Sequence, residues 1–196
     1  MNRRLVTSRL CAGIISAIAL LTTHRWTEHG ALDDVLGATG LLLLLVACIG
    51  RIWCASYVAG RKDRELVDKG PFSITRNPLY FFSFFGFIGA GLSFESFTMA
   101  LIFGGLFLAT HWPTILYEEG KLREIFGAPY DTYCARVPRF IPRLSLFEAS
   151  EVTTLRTKAF TRTMVEGGCI PLVYLGAQIV EQAHTEKWLP VLLTLP

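Results

Sequence analysis

The chain has 196 residues, of which 52% are hydrophobic and only 18% charged, with a formal net charge of +3. A soluble domain usually carries about 25% charged residues, so the deficit argues against an ordinary water-facing protein and toward lipid. The positive excess is too small to make a nucleic-acid-binding surface, and no nucleic-acid partner is expected. The five cysteines, Cys11, Cys48, Cys54, Cys134 and Cys169, are odd in number and show no CxxC pairing. This excludes a disulfide framework or a zinc site, and no metal site is expected. They read as small apolar fillers. Cys134 alone sits in a polar, basic stretch, where nothing nearby marks it as a nucleophile.

Arg3, Arg4 and Arg9 precede the first apolar run, Leu10 to Leu21. That order suits a signal peptide, but the run closes with Thr22, Thr23, His24 and Arg25 rather than an A-x-A-type cleavage site. Cys11 does not fit a lipoprotein processing site, because the apolar region follows the cysteine instead of preceding it. An uncleaved membrane helix from about Val6 to Thr23 is expected. A spanning helix needs about 20 mostly apolar residues, since backbone polar groups in hydrocarbon must bond within their own helix. Val35 to Tyr57 supplies a second span, Leu79 to Phe94 a third and Phe97 to Tyr117 a fourth. Only Glu95 and Ser96 separate the last two, which predicts a tight antiparallel hairpin. Gly86, Gly89, Gly91, Gly104 and Gly105 are expected to let its helix backbones approach closely. Met164 to Val180 contains Glu166, Pro171 and Gln178 and is compatible with a kinked span, a re-entrant piece or an interfacial helix; it is taken as a fifth span. Trp188 to Pro196 is too short to cross and is expected at the interface.

The basic residues cluster before the first span, between the second and third, and between the fourth and fifth. Arg61, Lys62, Arg64, Lys69 and Arg76 fill the middle cluster, whereas Arg25 and Lys187 alone fall on the opposite side. The positive-inside bias then places the N-terminus and both long polar segments in the cytoplasm of a multi-pass protein of the inner or plasma membrane. The expected fold class is an all-α integral membrane bundle of about five transmembrane helices. Three regions follow: 1–66 with the first helix pair, 67–142 as a core, and 143–196 as a C-terminal extension with the fifth helix.

Two of the polar segments carry residue types that sites use. In the first, Gly70-Pro71 marks a turn and Pro78 suits the first turn of the third span. Arg76 and Asn77 lie just before that helix N-terminus, where unpaired backbone N–H groups favour anions, and Tyr80 follows within one turn. Asn77 is equally readable as an N-cap, and Arg76 as a topology charge. The second segment begins at Glu118-Glu119. Carboxylates are disfavoured at a helix C-terminus, so either the helix continues past them to Gly127 or they serve a purpose. Lys121, Arg123 and Glu124 allow i,i+3 and i,i+4 pairing, the arrangement of a solvated charged helix end. Ala128 to Pro142, with Tyr130, Tyr133, Phe140 and several prolines, reads as a rigid aromatic loop that covers a ligand or anchors the chain at the headgroups.

The string Gly70 to Tyr80, with Arg76-Asn77-Pro78-Leu79-Tyr80, is similar to the G-P-Y…R-H-P-x-Y signature of the isoprenylcysteine carboxyl methyltransferase and phospholipid methyltransferase superfamily. Glu118-Glu119…Leu122…Phe126-Gly127…Tyr130…Tyr133…Val137-Pro138…Phe140-Ile141-Pro142 resembles that superfamily's second signature. The resemblance spans Val67 to Pro142, both motifs falling in order around the membrane hairpin. It implies an S-adenosylmethionine-dependent methyltransferase with a cytoplasmic cofactor site in 67–142 and a lipophilic or small-molecule methyl acceptor: an isoprenylcysteine-like carboxylate, a lipid amine or a thiol. It also implies that Gly70, Pro71, Arg76, Asn77, Tyr80, Glu118, Glu119 and Tyr130 bind the cofactor, with the two glutamates facing its cationic groups. Arg123 is the candidate catalytic residue, steering an anionic acceptor. One departure stands out: Asn77 occupies the usual histidine position, keeping a donor but lacking a titratable imidazole. The alternative reading is a non-enzymatic membrane scaffold or assembly protein that retains the fold. A small transporter is disfavoured, because the ionisable residues lie near the expected helix ends.

Overall fold

The computed structural model describes residues 22–24, 30–61, 63–150, 157–188 and 193–195. Seven α-helices account for most of them. Beside these stands a parallel pairing of two three-residue strands, β1 (Thr22–His24) and β2 (Leu193–Leu195), with Thr22 opposite Leu193. The expected first span lies outside the described residues except for Thr22 and Thr23, which belong to β1.

Helix α1 (Ala31–Val58) has 28 residues, α3 (Pro78–Leu92) 15 and α4 (Phe97–Phe126) 30. Among the described residues, three segments are long and apolar enough to cross a membrane: α1, α4 and residues Thr157–Thr185. The last is broken into α6 (Thr157–Gly168) and α7 (Leu172–Thr185) around Pro171, the kinked form of the expected fifth span. Helix α3 rises only about 22 Å at 1.5 Å per residue, short of a hydrocarbon core of about 30 Å, so the expected third span is an apolar helix below spanning length. Large apolar side chains face outward: Ile49 is 67%, Leu101 75% and Ile179 68% exposed. Such surfaces are stable against lipid and costly in water. Apart from the short strand pair, the described fold is therefore a helical membrane bundle.

One compact unit comprises the described residues within 22–45, 85–110 and 171–195. Within it, Leu36, Leu92 and Ala100 form a buried cluster against Leu43 and Ile88. Backbones touch at Gly40 and Gly89: a Cβ on Gly40 would lie 2.9 Å from the Gly89 carbonyl, and one on Gly89 2.8 Å from the Gly40 carbonyl. A Cβ on Gly91 would fall 2.4 Å from the Ala100 Cα, so Gly91 lets the hairpin helices approach as expected, whereas Gly89 makes its close approach to α1 instead. Gly105 does neither, having nothing within 4 Å of its Cβ position. The hairpin turns through Glu95 at φ 54°, and Ser96 caps α4 by accepting the Met99 N–H at 3.3 Å.

The other unit comprises Val46–Phe84 and His111–Ile170 and holds the polar segments. Helix α4 does continue past Glu118-Glu119, to Phe126, and Gly127 at φ 59° ends it. The expected aromatic loop is corrected over its first half: Ala128–Arg136 forms helix α5. Pro129 sits in its first turn, Asp131 and Arg136 complement its dipole, and Tyr130, Tyr133, Cys134 and Val137 fall on one helical face.

Candidate functional site

The first polar segment is built around Gly70, whose φ of 59° suits glycine and whose missing Cβ leaves room for the Tyr57 ring at 2.3 Å. Pro71 then opens the four-residue helix α2 (Pro71–Ile74). Residues 133–148 frame this segment. The Gly70 N–H donates to the Glu148 carbonyl at 2.8 Å, and the Glu148 N–H donates to Ser73 Oγ at 3.0 Å. Tyr133 Oη donates to the Phe72 carbonyl at 2.7 Å, the Arg76 N–H to the Pro138 carbonyl at 2.9 Å, and the Arg143 N–H to the Ile74 carbonyl at 2.9 Å. Lys69 and Arg136 both pair with Glu148. Attraction from these cations, Lys69 first through its hydrogen bond, holds the Glu148 carboxyl below its usual range. Gly70 and Pro71 thus shape the frame and are not its polar centre.

That centre is Glu119, 3% exposed. Its carboxylate accepts from Asn77 Nδ2 at 2.8 Å and Arg139 Nε at 3.0 Å, and Arg76 Nε lies 3.5 Å away. Asn77 Nδ2 also donates to the Arg139 carbonyl at 3.0 Å, so both its amide hydrogens are committed. A buried carboxylate requires such compensation, and here two guanidinium groups face one carboxylate. Arg76 Nε is nevertheless buried with no hydrogen-bond partner. Glu118, next along the helix, points elsewhere and accepts from Tyr80 Oη at 3.0 Å. The other side of Tyr80 meets His111 edge-on, with ring centroids 6.0 Å apart. Nearby, the Phe140 ring is flanked by Phe81, Phe84 and Trp112 with centroids 5.8–6.1 Å away.

The structure therefore brings Arg76, Asn77, Tyr80, Glu118 and Glu119 together. Tyr130 is buried with Tyr133 and Val137; burial, then the Glu119 charge, raises its hydroxyl well above the usual range. It supports the cluster from the core side. Arg123 stands outside: its Nε pairs with Asp131 at 2.7 Å in an exposed position, over the Tyr130 ring. The ion pair and that ring hold the guanidinium on the outer surface of α4 and α5. Arg139 and His111 were not singled out from sequence. Arg139 is embedded in the second motif, between Pro138 and Phe140, and counted there only as a topology charge. His111 had no marker beyond being an ionisable residue in an apolar helix.

The family model for phospholipid methyltransferases matches residues 13–129. The chain is 36% identical to the nickel-cobalt-cadmium resistance protein NccN of Alcaligenes xylosoxydans xylosoxydans, over 91% of this chain and 84% of that protein. It is 29% identical to the cobalt-zinc-cadmium resistance protein CzcN of Cupriavidus metallidurans, over 89% and 78% respectively. No solved structure matches. The family match takes in the first signature and the Glu118-Glu119 pair together with the helices that carry them, and the chain belongs to the phospholipid methyltransferase family.

Proposed function

We propose that this chain is an S-adenosylmethionine-dependent methyltransferase working at the cytoplasmic ends of its helices. The observation that carries the reading is the orphaned donor Arg76 Nε, buried 3.5 Å from the Glu119 carboxylate. A buried, unsatisfied guanidinium nitrogen is costly and fits a site completed by an anionic ligand group. The methyl donor has a carboxylate, an ammonium and a sulfonium, and the residues present suit all three. Arg76 would hold the carboxylate, since the second cation Arg139 leaves Glu119 and its two guanidinium partners net positive. Half-buried Glu118, oriented by Tyr80, would face the cationic groups. When bound, the donor supplies a methyl group activated by sulfonium charge. The chain's own part is to position the reactants and exclude water, with residues 133–148 closing over 70–77.

The acceptor has a lipid-soluble part and enters from the bilayer, passing the aromatic group of Phe81, Phe84, Trp112 and Phe140. The N-terminus and both polar segments are cytoplasmic, following the basic-residue bias. The names of the two relatives favour a second reading, a membrane component of a metal-resistance system without chemistry of its own. Calorimetric titration of the purified protein with S-adenosylmethionine separates the two. The enzyme reading expects binding that weakens at least tenfold in Arg76→Met and Glu118→Gln. No binding by the wild-type chain supports the scaffold instead.

A further inference from the structure

His111 is the single histidine in the unit formed by 46–84 and 111–170. It sits half-buried on α4, seven residues before Glu118. Two helical turns put it about 10 Å deeper along the axis on the same stripe. An ionisable side chain inside an apolar helix is expensive and usually faces a functional site rather than lipid. Here it faces Tyr80, which hydrogen-bonds Glu118, so the imidazole lies on the apolar side of the polar cluster. Asn77, at the position beside the buried carboxylate, carries a neutral amide whose two hydrogens are both committed, and has no proton to exchange. Imidazole is the group that takes up and releases a proton near neutral pH.

We propose that His111 is the proton-accepting residue for a protic methyl acceptor, an amine or a thiol, arriving from the membrane side. This rests on the methyltransferase reading above. The acceptor's N–H or S–H bond breaks and its proton passes to the His111 imidazole. The freed lone pair forms the bond to the methyl carbon, while the electron pair of the old carbon–sulfur bond stays on the departing thioether. The imidazolium then returns its proton to water. A carboxylate acceptor has no need of such a base.

The test uses full-length protein in host membranes with methyl-labelled S-adenosylmethionine. Three variants are compared with wild type: His111→Gln, His111→Ala, and His111→Phe, which keeps a ring against Tyr80. Labelled product is treated with alkali, which releases methanol from methyl esters but leaves N-methyl and S-methyl groups intact; chromatography then separates the last two. Calorimetry on the same variants reads cofactor affinity. The expected result is alkali-stable label, lost at least tenfold in all three variants, with cofactor affinity within twofold of wild type. General-base assistance typically contributes 10²–10⁴-fold. Alkali-labile label, full incorporation by His111→Phe, or cofactor affinity falling in step with activity each overturns the proposal while the methyltransferase reading stands. A wild-type protein that neither binds the donor nor incorporates label overturns both.

Discussion

Glu118 and Glu119 are neighbours in sequence with different duties, because successive residues on a helix point about 100° apart. Ile115, Glu119, Leu122 and Phe126 form one stripe of α4 at i, i+4, i+7 and i+11, and Ile115 is fully buried. Glu119 is therefore turned inward, toward Arg76, Asn77 and Arg139, and its single charge offsets one of the two guanidinium groups. Removing it would leave Arg76 and Arg139 mutually repelling around a desolvated gap. Breaking a buried pair in this way costs about 3–5 kcal/mol. Arg139 is 41% exposed, and its loss should cost about 1 kcal/mol. Unfolding in mixed micelles should thus rank Glu119→Ala as far more damaging than Arg139→Ala, with Glu118→Ala nearly neutral. Equal destabilisation by Glu118→Ala and Glu119→Ala would contradict the inward assignment. Phasing the stripe from Ile115 was within reach of the sequence once the helix was known to continue. The partners of Glu119 were not, since Asn77 and Arg139 come from segments 42 and 20 residues away.

At the scale of elements, the same distinction separates what was legible from what was not. The hairpin of α3 and α4, its turn at Glu95 and Ser96, and the break at Pro171 all follow from local composition and were readable. Helix α5 was not read, because prolines and aromatics in a basic stretch resemble an interfacial loop. The recurrence of Tyr130, Tyr133 and Val137 at helical spacing was the overlooked signal. Composition also does not say which glycine meets a backbone. A methyl group at Gly89 would press on the Gly40 carbonyl at 2.8 Å and on Leu43 Cβ at 2.9 Å, whereas at Gly105 it would meet nothing within 4 Å. Gly89→Ala should therefore destabilise the protein by about 1–3 kcal/mol, as overpacking does. Gly105→Ala should be neutral or slightly stabilising, given the better helix propensity of alanine. Thermal unfolding in detergent would read both, and similar melting temperatures for the two variants would refute the close approach of Gly40 and Gly89.

At the scale of the whole molecule, the proposed methyltransferase activity raises the question of how an acceptor would reach a site that its own chain covers. Segment 70–77 is bound along its length by 133–148, so the polar side is occupied by protein. Phenylalanines and glycines between Phe84 and Gly91 invite a groove for an apolar chain, but Gly89 and Gly91 are filled by backbone contacts with Gly40 and Ala100. Among the described residues, an apolar approach is offered by the aromatic group around Phe140, where Trp112 is 38% exposed. A lipid-soluble tail lying there would gain about 0.8 kcal/mol for each buried CH₂, close to fourfold in affinity. Acceptors sharing one head group and carrying progressively shorter tails should lose catalytic efficiency by about that factor per carbon. Cofactor affinity should stay constant across the series, because Arg76 and Glu118 lie at the polar end. Trp112→Ala should flatten the tail-length dependence by removing part of the surface the tail covers. A flat response in the wild-type protein, with full activity on a tail-less acceptor, would mean that a small molecule reaches the site from the water side, through a parting of 133–148 from 70–77.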